Sequence, residues 1–196
     1  MANTFAPFGF TQASGNGSAP TYEQISGTIA TTTAPVYFGD PIGRLAADGT
    51  LAGATTSTLP GTDAIAGVFV GCKYLSVSQK RTVWSNFWPG SDSSTPVEAY
   101  YVNDPNARFL VQTDGAGAPA ASIGANIQFN YGTGNSANGL SGAYVEGASA
   151  GVTATLPFRV VGYYGGPPGS NGTFPGGYQW VIVAFNNVET KSLTAV

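Results

Sequence analysis

No segment of this chain sustains a helical 3.6-residue repeat over ten residues. Twenty-eight glycines and thirteen prolines punctuate its 196 residues, and both residue types are poor in helix interiors. The runs between them are short and rich in Val, Ile, Tyr, Phe and Trp, side chains that suit a pleated, half-buried surface. The clearest examples fall within 64–112: AIAGVFVG (64–71), KRTVWSNFW (80–88) and VEAYYVNDPNARFLVQ (97–112), the last broken by its DPN turn.

Further strands are expected on either side. Residues 21–30 form one, and 34–46 form a strand and its neighbour across a Gly-Asp-Pro turn. Asp48-Gly49 marks another hairpin-like turn, and 51–63 reads as loop. In 123–131, Ile127, Phe129 and Tyr131 alternate with Asn126, Gln128 and Asn130, the pattern of a half-buried strand. Residues 132–157 are too long for a turn and read as a surface excursion or an edge hairpin around 143–146. A strand over 158–164, a Gly/Pro loop over 165–177 and a central strand over 178–186, apolar on both faces, complete the series. The expected fold is all-β: one β-sandwich or barrel domain over 21–196, with a jelly roll among its forms and long Gly/Pro loops. Residues 1–20 read as an extended N-terminal arm, whose Phe5, Phe8 and Phe10 either fold back onto the domain or dock on a partner.

Charged residues make up 9% of the chain, against about 25% in an ordinary soluble domain. With 42% hydrophobic residues the chain has ample core material and is expected to fold. A net charge of −3, with Lys80-Arg81 as the only basic pair, excludes an extended phosphate-binding face, so no nucleic-acid partner is expected. No apolar run approaches the 18 residues of a membrane-spanning helix, and MANTFAPFGF has neither the charged start nor the apolar stretch of a signal peptide. The expectation is a protein made in a cytosol, with no membrane partner.

The chain has no histidine, which removes the commonest general base and most zinc and iron sites. The single cysteine, Cys72, allows no intrachain disulfide and ends an apolar strand, where a small buried hydrophobe fits. Lys73 or Lys80 beside Ser76 or Ser78 is a weak Ser–Lys signal, and Glu98 with Asp104 a weak glycosidase pair. Gly115-x-Gly117 and Gly132-x-Gly134 lack the strand, helix and GK[ST] context of phosphate loops. No EF-hand spacing is present. No catalytic residue, cofactor or metal site is therefore assigned. Trp84, Phe87 and Trp88 stand out: in a strand, Trp84 and Trp88 share a face, which can fill a core, stack a sugar or anchor a protein.

The segments ANTFAPFGF, YFGDPIGRLA, GVFVGCKYL, TVWSNFWPG and AYYVNDPNARFLVQ, in that order over residues 2–112, resemble a group of head decoration, or cement, proteins of tailed bacteriophages. The resemblance implies a non-enzymatic virion protein made in the host bacterial cytoplasm. It would bind the outside of the capsid and bridge neighbouring major capsid subunits, often as a dimer or trimer. The contacts expected on that reading are Phe5, Phe8 and Phe10 of the arm, with Trp84, Phe87, Trp88, Tyr163 and Tyr164. The alternative is a carbohydrate-binding β module that uses Trp84 and Trp88 for host-surface adhesion.

Overall fold

The computed structural model describes residues 3–13, 23–29, 34–45, 48–53, 64–167 and 170–191. Residues 1–2 and 14–20 of the expected arm and 54–63 of the expected 51–63 loop lie outside them, and Leu51–Ala52, expected in that loop, form a buried strand instead. In chain order the strands are β1 (Thr11–Gln12), β2 (Gln24–Ile29), β3 (Pro41–Arg44), β4 (Leu51–Ala52), β5 (Gly67–Ser76), β6 (Arg81–Ser85) and β7 (Val97–Val102). They continue as β8 (Arg108–Gln112), β9 (Asn126–Ile127), β10 (Phe129–Asn130), β11 (Tyr144–Val145), β12 (Phe158–Tyr163) and β13 (Trp180–Phe185). Among the described residues the only helical turns are two single 3-10 turns, Ala120–Ser122 and Gly147–Ser149.

Five of these strands close on themselves. The order β3-β4-β2-β7-β5 returns to β3 through the β3–β5 pairing, and β6 extends from β5 outside the ring. Closure is thinnest at β2 and β4, which meet at a single residue pair. All the ring's pairings are antiparallel except β2 with β4, which meet at Ile29 and Leu51. The barrel is filled by Ile29, Ile42, Leu51, Phe69, Val97, Ala99 and Tyr101, with Trp88 and Val36 bridged to each other in the same cluster. So small a ring leaves little room between strands. A Cβ at Gly67 would lie 2.2 Å from the Val102 carbonyl oxygen on β7, so no other residue fits there without moving the backbone.

A second sheet, β1-β8-β13-β12-β9, packs against the barrel. Its inner face presents Phe109, Val111, Phe158, Val160, Val181, Val183 and Phe185, and the barrel strands contribute Val68 and Val102 to the same core. β5 and β7 therefore serve two cores at once. The DPN turn of the sequence is the passage between them: it ends β7 in the barrel and begins β8 in the second sheet. β10 and β11 form a separate hairpin-like pair across the 132–142 excursion.

The N-terminal segment differs from an arm over the residues described. Phe10 is buried at the centre of the second core, stacked on Phe158 at 4.3 Å and edge-on to Phe109 and Phe129. Asn3 is bonded to Thr173, Gly177 and Gly172, and the buried Gln112 side chain donates to the Thr4 carbonyl and accepts from the Ala6 amide. Burying a phenylalanine is worth roughly 2–3 kcal/mol, which favours the folded-back alternative for residues 3–13. No helix among the described residues is long and apolar enough to cross a membrane.

Candidate binding face

Trp84 is the most exposed aromatic side chain among the described residues, at 67%. Its position follows from strand register. β5 and β6 pair Lys73 with Trp84, and β5 and β7 pair Lys73 with Glu98, so the three side chains form one row across the outer face of the barrel. The Lys73 ammonium lies 2.7 Å from the Glu98 carboxylate and 5.1 Å from the centroid of the Trp84 ring. That ring lies parallel to Tyr100, with centroids 5.6 Å apart and 9° between planes. Each ion holds the other charged: Lys73 pulls the Glu98 carboxyl below its ordinary range, and Glu98 raises the Lys73 ammonium.

A groove of about 500 Å³ runs beside the indole, lined by Gln24, Val70, Cys72, Trp84, Asn86 and Tyr100. The Asn86 side chain is fixed by donating to the Asn138 carbonyl at 2.8 Å. The face thus joins a broad apolar ring to amide and hydroxyl groups on the side of the barrel where β6 extends from β5. An arrangement of this kind can stack under an apolar partner surface or the flat face of a sugar ring.

The structure separates the other residues expected to bind. Trp88 is 0% exposed and edge-on to Tyr74 at 5.0 Å, so it does not share a face with Trp84. The period-2 argument fails because β6 stops at Ser85, and Trp88 joins Val36 in a separate bridge. Phe87 is half-buried and parallel to Tyr37 at 5.7 Å. Phe10 is a core residue, and Phe8 packs edge-on against Trp180 at 5.2 Å. Phe5 remains 47% exposed, held between Tyr144 and Tyr178 at 5.3 Å from each. Tyr163 donates to the Pro119 carbonyl and packs on Phe174, while Tyr164 packs on Trp180. Only Trp84 and Phe5 of the eight are exposed.

The two serines and Lys73 of the weak catalytic signal are engaged elsewhere. The Ser76 hydroxyl donates to Asp92 at 2.5 Å and the Ser78 hydroxyl to the same carboxylate at 3.1 Å, while Lys73 is engaged by Glu98. Extended chain from Glu98 to Val102 alone spans about 13 Å, with Asp104 beyond it, whereas glycosidase carboxylates stand roughly 5–10 Å apart. Cys72 is buried, and burial pushes its thiol up to about 12. No group of three or more His, Cys, Asp or Glu side chains suited to a metal ion occurs among the described residues. Tyr100 is the member of the face that sequence reasoning missed. Alternation in VEAYYV places Tyr100 outward with Glu98, but only the pairing register brings it to Trp84. Comparisons with protein-family models, curated proteins and solved structures return no match to this chain.

Proposed function

We propose that the protein is a non-enzymatic structural component of a virus particle, binding the outside of a tailed-phage capsid and joining neighbouring major capsid subunits. The resemblance over residues 2–112 motivates this reading, and one observation carries it: Trp84, two-thirds exposed, is held on β6, the strand that extends the barrel from β5, by Tyr100 and Lys73. A preorganised tryptophan that loses no chain entropy on docking is the kind of anchor that dominates protein interfaces. Phe5, presented beside Tyr144 and Tyr178, offers a second contact. Repetition over a shell multiplies modest contacts of this sort.

The test is co-sedimentation of the purified protein with empty heads that lack it, following thermal disruption of the shell in parallel. Saturable binding at a fixed ratio to the capsid subunit and a raised disruption temperature are expected. Trp84→Ala should weaken binding by about tenfold or more while leaving the melting temperature of the free protein nearly unchanged. Wild-type affinity in that variant would remove Trp84 from the interface, and no binding by the native protein would end the capsid reading.

The groove beside Trp84 favours a second reading, a carbohydrate-binding module, because the polar groups of Gln24 and Asn86 flank the ring. A sugar-array signal lost in Trp84→Ala would select it. Trp88→Ala is unsuited to that test, since it empties the barrel.

A further inference from the structure

A second concavity, of about 450 Å³, is lined by Pro35, Tyr37, Asp40, Tyr131, Thr133 and Gly134. Asp40 is 6% exposed. Its carboxylate accepts from the Ser141 hydroxyl at 2.5 Å and from the Tyr37 amide at 2.7 Å. All seven lysines and arginines of the chain lie in described segments, yet the ion pairs among those residues are Arg44–Glu189 and Lys73–Glu98. Among the described residues Asp40 has no counter-ion. A buried carboxylate is normally paired or bound to a cation, because desolvation of an isolated charge costs several kcal/mol.

The walls supply what the acid lacks only in part. Tyr37 is backed by the parallel ring of Phe87, and the Tyr131 hydroxyl donates to the Pro41 carbonyl at 2.6 Å. Two phenol rings therefore border a single negative charge. The rim is backbone-thin, for a Cβ at Gly134 would lie 2.2 Å from the Tyr37 ring. Aromatic faces beside a carboxylate attract a compact organic cation.

We propose that this pocket binds a primary alkylammonium group, with Asp40 as counter-ion and Tyr37 and Tyr131 enclosing the alkyl chain. The ammonium is supplied either by a lysine side chain of a partner polypeptide or by a free amine. The site is separate from the Trp84 face and does not rest on the capsid reading. Among the described residues the titratable side chain that interacts with Asp40 is Tyr131, while the Ser141 hydroxyl and the Tyr37 backbone amide are neutral donors to it. Burial lifts the Asp40 carboxyl to about 6, so the proton competes with the cation in the mildly acidic range.

The experiment is an NMR titration of the full chain with n-butylammonium chloride in amine-free buffer, with potassium chloride and n-butanol as controls. Saturable millimolar binding that moves Tyr37 and Tyr131 resonances is expected at about pH 7.5, with neither control reproducing it. Binding should be about tenfold weaker at about pH 5, and Asp40→Asn should lose about tenfold or more at the higher pH. Should that variant not fold, the wild-type pH profile decides alone. Absence of saturation, or affinity that ignores both pH and Asp40→Asn, overturns the proposal. A short lysine-containing peptide that binds tighter than n-butylammonium assigns the ammonium to a polypeptide, whereas equal or weaker binding assigns it to a free amine; either result keeps the site.

Discussion

Burial lifts Asp40 to about 6, against 3.8 for an unperturbed aspartate, because removing the carboxylate from water outweighs its bonds from Ser141 and Tyr37. The folded protein keeps this proton in a pH window where the unfolded chain has released it. The contribution to stability is fully present below pH 3.8 and is lost as pH rises through 6. A shift of this size corresponds to about 3 kcal/mol across the window. Asparagine can keep both contacts, accepting from the Tyr37 amide and donating to the Ser141 hydroxyl. Asp40→Asn should therefore flatten the fall in stability between about pH 4 and 7, measured by urea denaturation in amine-free buffer. Equal slopes for the two proteins would show that Asp40 does not govern this dependence. Nothing in the sequence marks Asp40 as special. In YFGDPIGRLA it reads as a turn aspartate before proline, and its burial comes from the 132–142 excursion, about a hundred residues later, which carries Ser141 onto it.

The N-terminal segment shows what separates an element from an arm. Three phenylalanines among Pro, Gly and Ser suggest a tail in sequence, but Phe10 completes the aromatic cluster of Phe109, Phe129, Phe158 and Phe185. Deleting residues 2–10 removes that ring together with the Asn3 and Gln112 bonds, so the deletion should destabilise the domain by more than about 3 kcal/mol. A lowered urea midpoint and increased binding of a hydrophobic dye are the expected signs. Unchanged stability would mean that the segment only rests on the surface. The deletion is consequently no clean probe of partner binding, and substitution of the exposed Phe5 serves that purpose better. The β6 region teaches a related lesson. Residues 80–88 read as one strand, yet β6 ends at Ser85 and the chain turns through Asn86 and Phe87, which sends Trp84 to solvent and Trp88 inward.

At the scale of the molecule, the barrel and the second sheet share β5 and β7, with Val68 and Val102 in one core and Phe69 and Tyr101 in the other. Loss of either core exposes the shared strands, so the domain should unfold in a single calorimetric transition whose van't Hoff and calorimetric enthalpies agree. Two resolved transitions would show that the cores are independent. The sequence by itself determined the all-β class, the punctuation by glycine and proline, and most strand positions. The DPN break between β7 and β8 is an example, because it follows from local conformational preference. The single strand expected over 123–131 is instead split into β9 in the second sheet and β10 paired with β11, with Asn126 buried rather than outward. Ring closure through β3 and β5, the parallel meeting of Ile29 with Leu51, the seat of Phe10, and the meeting of Trp84 with Tyr100 were decided only by tertiary structure. Each depends on which distant strands pair and in what register. That choice is set by how the whole core fills, and no single stretch of residues encodes it.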